Sequence, residues 1–107
     1  MHANNEIGVL HPIKEIGELC KKYNSIFHTD VAQSIGTQKI DVEDMNIHAL
    51  SISAHKIYGP KGVGALFISN SIKNTLRPLI CGGGQELNLR SGTLSPALCV
   101  GLGEAFK

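Results

Sequence analysis

Lys56 stands where a short strand gives way to a tight turn, in the stretch Ser51-Ile52-Ser53-Ala54-His55-Lys56-Ile57-Tyr58-Gly59-Pro60-Lys61-Gly62. A lysine at the C-terminal lip of a buried strand is partly desolvated. Desolvation disfavours the ammonium form and makes the amine a nucleophile. Such an amine can condense with an aldehyde and hold it covalently. The plainer reading is a surface lysine that follows a strand.

Other residues supply complementary chemistry. Asp30 ends the short strand read over Ser25-Ile26-Phe27-His28-Thr29-Asp30, Gln33 lies just beyond it, and Ser53 and His55 flank Lys56. A pyridoxal phosphate site needs a lysine for the aldehyde and an acid that keeps the ring nitrogen protonated. It also needs a donor for the ring hydroxyl oxygen, and hydroxyl, imidazole or backbone donors for the phosphate. These residue types match those needs one by one. Each has a plainer role as well: Asp30 as the cap of the following turn, Gln33 as a solvated side chain, Ser53 as a strand hydroxyl bonded to backbone. His55 would then be structural and Thr93 a loop cap.

The elements that must position them follow from periodicity. Residues 1–10 read as a loop, with Asn4, Asn5 and Gly8 as turn formers. A helix is predicted over 12–23, with Pro12 in its first position and Ile13, Ile16, Cys20 and Tyr23 on one face. Glu15 near its start and Lys21 and Lys22 near its end suit the helix dipole. Strands are predicted over 25–30, 48–53 and 63–69, with a connector containing a helical turn near 40–45. Ser71 to Leu76 reads as a helical turn broken by Pro78, and Gly82-Gly83-Gly84 as a hinge or ligand loop. Ser95 and Pro96 open a helix still running at Lys107. This alternation predicts an α/β fold with a mostly parallel sheet and flanking helices. In such sheets ligands sit beyond the carboxyl ends of the strands. Asp30 and Lys56 lie at two such ends, one strand-crossover-strand unit apart.

Bulk composition excludes several classes. With 10 basic and 9 acidic residues, the net charge of +1 leaves no electrostatic footprint for nucleic acid or an anionic membrane. No apolar run approaches the roughly 20 residues needed to span a bilayer. The three cysteines, Cys20, Cys81 and Cys99, form no CxxC pair, so neither a zinc site nor a dithiol redox motif is signalled. An odd count without a secretory leader points to a reducing compartment. Gly59-Pro60-Lys61-Gly62-Val63-Gly64 departs from a nucleotide-binding P-loop, because Lys61 is followed by Gly62 and a strand rather than by Ser or Thr and a helix.

Several segments occur in order: Asn4-Asn5-Glu6-Ile7-Gly8, His28-Thr29-Asp30-Val31-Ala32-Gln33, Ser51 to Gly62, Gly82-Gly83-Gly84-Gln85-Glu86 and Arg90-Ser91-Gly92-Thr93. Together they resemble the cysteine desulfurases, members of the class V aminotransferase group of fold type I pyridoxal phosphate enzymes. The resemblance spans residues 1–107. It implies that Lys56 is the Schiff-base lysine and proton shuttle, that Asp30 pairs with the pyridine nitrogen and that Gln33 donates to the ring hydroxyl oxygen. It implies that Ser53 and His55 bind phosphate and that Asn5 lies beside the cofactor and orients the substrate. Thr93 would reach the cofactor phosphate of the neighbouring subunit in a homodimer. Ala54 stands where many members carry glycine.

The same resemblance makes 1–107 the central portion of the pyridoxal phosphate-binding large domain. An upstream segment with a further phosphate-binding threonine and a ring-stacking histidine would be lacking. So would the C-terminal small domain, with the arginine for the substrate carboxylate and the sulfur-accepting cysteine. Cys81 matches that cysteine in neither position nor surroundings. The implied activity of the full-length parent is removal of sulfur from L-cysteine. The products are alanine and an enzyme persulfide that feeds an iron–sulfur scaffold or another sulfur-acceptor protein. The implied location is the cytoplasm, or the mitochondrion in a eukaryote. The fragment alone would be inactive. Selenocysteine lyase and other class V enzymes share the same cofactor residues, and an inert binding domain is the remaining alternative. Faces normally covered by the missing segments would be left exposed.

Overall fold

The structure, a computed structural model, describes residues 1–107. Two short strands, β1 (Ala3–Asn4) and β2 (Val9–Leu10), form an antiparallel ribbon. Helix α1 (Ile13–Lys22) follows, then β3 (His28–Asp30) and β4 (Ala49–Ser53). A 3-10 turn, Ala54–Ile57, leads into β5 (Gly64–Ile68). Short 3-10 turns at Lys73–Thr75 and Glu86–Asn88 precede helix α2 (Pro96–Ala105).

The three longer strands form one sheet in the order β3-β4-β5. β3 and β4 run parallel, with Asp30 opposite Ser51, whereas β5 runs antiparallel to β4, with Gly64 opposite Ser53. Link length explains both directions. A parallel crossover takes about a dozen residues or more. The link 31–48 provides them and the link 54–63 does not, so the chain folds back on itself after β4. The fold is α/β as predicted, but within these residues the sheet is mixed rather than mostly parallel.

The core is built from Ile13, Phe27, Val31, Ile47 and Leu50, with Ile16, Cys20, Ile35, Val42, Met45 and Ile52 packed around it. Helix α1 thus lays its predicted apolar face on the sheet. Tyr23, assigned to that face from its spacing, is instead exposed, because it sits at the C-cap where the helical phase ends. Pro12 occupies the N-cap rather than the first helical turn. Helix α2 ends at Ala105, short of the predicted Lys107, and has no buried residue despite its apolar sequence. Residues 1–10 form the β1–β2 ribbon instead of a plain loop, since Asn4 Oδ1 accepts from the Glu6 and Ile7 N–H groups and closes a hairpin turn. Leu66, Leu79, Leu87 and Val100 are exposed.

Gly17 carries a specific packing demand. A Cβ there would fall inside the van der Waals radius of the Met45 carbonyl oxygen. Alanine in place of a mid-helix glycine ordinarily stabilises by about 0.5–1 kcal/mol. At Gly17 overpacking wins, and Gly17→Ala is expected to destabilise by about 1–3 kcal/mol. Gly103 in α2 meets nothing within 4 Å, so Gly103→Ala should be neutral or stabilising. Urea unfolding of the two variants checks the opposite signs.

Candidate functional site

The site grows from the carboxyl ends of β3 and β4. Parallel pairing puts Asp30 and Ser51 side by side on one face. The Ser51 hydroxyl donates to Asp30 Oδ2 at 2.5 Å, and the Ala32 N–H donates to Oδ1 at 3.0 Å. Asp30 therefore does cap the turn that follows it. The same two donors fix the plane of its carboxylate, and each oxygen can still accept another hydrogen. Ser51 was not among the sequence-predicted residues. Its signal was its place two residues before Ser53, on the same strand face, but the register that brings it to Asp30 is not legible in a single sequence.

Beyond Asp30 the chain turns tightly. Val31 N–H donates to the Ser51 carbonyl at 3.0 Å, and the Ser34 and Ile35 N–H groups both donate to the Val31 carbonyl. Val31 and Ser34 are completely buried, so Gln33, half-buried between them, is carried on a pinned turn. At the end of β4, Ser53 Oγ lies 3.0 Å from His55 Nδ1. The 3-10 turn after it is anchored by the buried side chains of Ala54 and Ile57. Lys56 lies between those anchors and is exposed. The partial burial expected of it is not supplied by these residues, because the chain turns outward at Tyr58 and nothing in 1–107 closes over the amine. Tyr58 ends the turn in the left-handed region with φ 66° and is fully exposed. Gly59 follows, where a Cβ would press on the Ala54 carbonyl oxygen and methyl.

Asp30, Gln33, Ser53, His55 and Lys56 are thus gathered at the same end of two adjacent strands. Asn5 lies in the β1–β2 turn, exposed, with Nδ2 3.5 Å from Glu6 Oε1. That ribbon is joined to the site through the His2 N–H, which donates to the Asp30 carbonyl at 2.8 Å. Thr93 is not part of this group. It is exposed, in a loop latched by Gly92 N–H to Gln85 Oε1 at 2.9 Å and Gly84 N–H to Ser91 Oγ at 3.3 Å. It lines a cavity of about 980 Å³ between β5 and α2, together with Cys99. A second cavity, of about 780 Å³, opens at the other end of the sheet beside Cys20 and His48. Cys81 is an exposed thiol before the glycine run. No group of three or more His, Cys, Asp or Glu side chains is placed to hold a metal.

His2, read from the sequence only as part of the loop 1–10, is buried, with Nδ1 2.9 Å from Ser34 Oγ. Burial, reinforced by His11, holds its imidazole below the ordinary value of 6.5. Below about pH 6.5 the unfolded chain then binds more protons than the folded one, so His2 contributes stability above that pH and loses it as the pH falls. Unfolding measured from pH 8 to 5 should show a steeper loss in the parent than in His2→Asn. Identical pH profiles would remove this assignment.

Known proteins share this sequence and this fold. The family model for aminotransferase class-V matches residues 1–107. The cysteine desulfurase IscS of Clostridium botulinum is 61% identical over 107 residues, covering 100% of this chain and 26% of its own. The mitochondrial cysteine desulfurase of Saccharomyces cerevisiae is 59% identical over 107 residues, again 100% of this chain and 22% of its own. A solved structure described as SspA in complex with cysteine superposes with a TM-score of 0.93 at 53% identity, covering 98% of this chain and 30% of that one. The chain therefore spans about a quarter of the length of these curated relatives.

Proposed function

The chain belongs to the aminotransferase class-V family, and from that premise we propose that residues 1–107 are the central portion of the pyridoxal phosphate-binding large domain of a cysteine desulfurase. The parent removes sulfur from L-cysteine, leaving alanine, and passes the sulfur to an iron–sulfur scaffold or another acceptor protein. One observation carries the reading: a carboxylate held by two donors and a lysine on an anchored turn lie at the same end of adjacent parallel strands.

The donor set fits the cofactor. Asp30 offers a carboxylate for the ring nitrogen, Gln33 an amide for the ring hydroxyl oxygen, and Ser53 and His55 a linked hydroxyl and imidazole for the phosphate. Lys56 offers the only side-chain amine on the turn Ala54–Ile57. When bound, pyridoxal phosphate supplies an electron sink for charge that develops beside the substrate Cα. Within the chain, Lys56 would hold the cofactor through its aldehyde and carry a proton at its own Nζ. Asp30 would keep a proton on the ring nitrogen, and Asn5 would orient the substrate. Thr93, apart from this group in its own chain, serves the neighbouring subunit's phosphate in a homodimer. Cys20, Cys81 and Cys99 carry no sulfur in this scheme.

The cysteine named in the solved relative supports the choice of substrate. No helix is long and apolar enough to cross a membrane. With mitochondrial and bacterial relatives on both sides, the cytoplasm or the mitochondrion is the proposed location. The test is to supply the full-length protein with L-cysteine and a thiol reductant. Alanine and sulfide should appear in equal amounts. A keto acid in place of alanine would point to another class V reaction.

A further inference from the structure

His2 is a buried imidazole that the proposed chemistry leaves without a task. Its backbone N–H donates to the Asp30 carbonyl at 2.8 Å, and its own carbonyl accepts from the His11 N–H at 2.8 Å. Its side chain, 8% exposed, reaches Ser34 Oγ at 2.9 Å, and Ser34 has no exposure at all. The Ser34 hydroxyl in turn donates to the Val31 carbonyl at 3.3 Å. The Val31 carbonyl already accepts from the Ser34 and Ile35 N–H groups, so the 2.9 Å bond to His2 Nδ1 is the shorter and less crowded of the hydroxyl's two contacts.

His2 thus grips the turn at both ends, Asp30 through backbone and Ser34 through side chain, and Gln33 rides between the two grips. We propose that His2 is a positioning residue that, through Ser34, holds the Asp30–Ser34 turn so that the Asp30 carboxylate stays aimed at the cofactor's ring nitrogen. This rests on the role proposed for Asp30. A carboxylate is a rigid fork, and its hydrogen bond weakens steeply as the angle departs from linear. The Ala32 N–H that orients Oδ1 belongs to the same turn, so a slack turn loosens the carboxylate from one side while Ser51 holds it from the other. Packing alone would make a different demand: any apolar side chain of similar volume would then serve.

The experiment uses the full-length protein loaded with pyridoxal phosphate labelled with ¹⁵N in the ring, and reads the ring-nitrogen chemical shift by NMR alongside turnover. His2→Leu and Ser34→Ala should both move the shift toward the unprotonated value and lower turnover about tenfold, the loss expected for one buried hydrogen bond. His2→Asn, whose amide can donate or accept in place of Nδ1, should match the parent in both. In an Asp30→Asn background, His2→Leu should cost less than about twofold more, since residues in one network do not act additively. An unchanged shift in both His2→Leu and Ser34→Ala overturns the inference, as does a tenfold loss that persists undiminished in the Asp30→Asn background. If His2→Leu does not fold, Ser34→Ala against His2→Asn decides on the same two readouts. If Asp30→Asn alone leaves the shift unchanged, the role proposed for Asp30 fails and takes this inference with it. The two failures are therefore told apart by that single variant.

Discussion

Lys56→Ala in the full-length protein is expected to abolish the visible absorption of the bound cofactor and to lower desulfurase turnover by about 10³-fold or more. The size of the effect follows from two roles meeting in one amine: covalent attachment, and proton movement at the reacting carbon. No other lysine of the region can substitute. Lys56 sits between the buried anchors Ala54 and Ile57, whereas Lys61 lies beyond the Gly59-Pro60 turn with no buried residue on either side. Lys56→Arg separates charge from nucleophilicity. It keeps a cation of similar reach, but a guanidinium stays protonated and does not attack an aldehyde. It should therefore be as inactive as Lys56→Ala, while Lys61→Ala should behave like the parent. Survival of the absorption band in Lys56→Ala would show that the cofactor is held by a different residue.

What the sequence disclosed divides along a physical line. Signals carried by neighbours in the chain were legible. The 3.6-residue period of Ile13, Ile16 and Cys20 predicted α1, and the strand-then-turn pattern at residues 51–62 located the lysine. Asp30 and Lys56 could be set at strand ends because strand length and crossover length are local quantities. Signals that depend on pairing were not legible. The register that brings Ser51 to Asp30, and the antiparallel return of β5, are settled by which strands meet. The burial of His2 was hidden for the same reason. A polar run reads as solvated until a distant Ser34 and the end of β3 are known to cover it. Lys56 shows the converse error: a strand end implied burial, but the short 3-10 turn that follows leaves its side chain exposed.

Asp30→Asn should leave the fold and most of the cofactor affinity in place while lowering turnover about 100-fold. The asparagine is nearly isosteric, and its Oδ1 can still accept the Ala32 N–H. The Ser51 hydroxyl, which donates to Oδ2 in the parent, can rotate and accept from the amide nitrogen instead. Neither bond that orients the side chain need be lost, so the variant removes charge rather than structure. What it removes is a charge-assisted hydrogen bond to the ring nitrogen, of the kind worth about 1.5–3 kcal/mol. At about 1.4 kcal/mol per factor of ten in rate, that corresponds to roughly 10–150-fold in turnover. In the proposed site, cofactor retention would rest instead on Lys56, Ser53 and His55, none of which contacts Asp30 through a hydrogen bond. Asp30→Ala provides the contrast. It leaves the Ala32 N–H and the Ser51 hydroxyl without their acceptor and so should add a stability loss of about 1–3 kcal/mol to the same kinetic defect. Measuring kcat, the cofactor dissociation constant and the urea midpoint on both variants separates the two costs. Parent-like turnover in Asp30→Asn would mean that the ring nitrogen is served by another group, and the strand-end carboxylate would keep only its role as the cap of its turn.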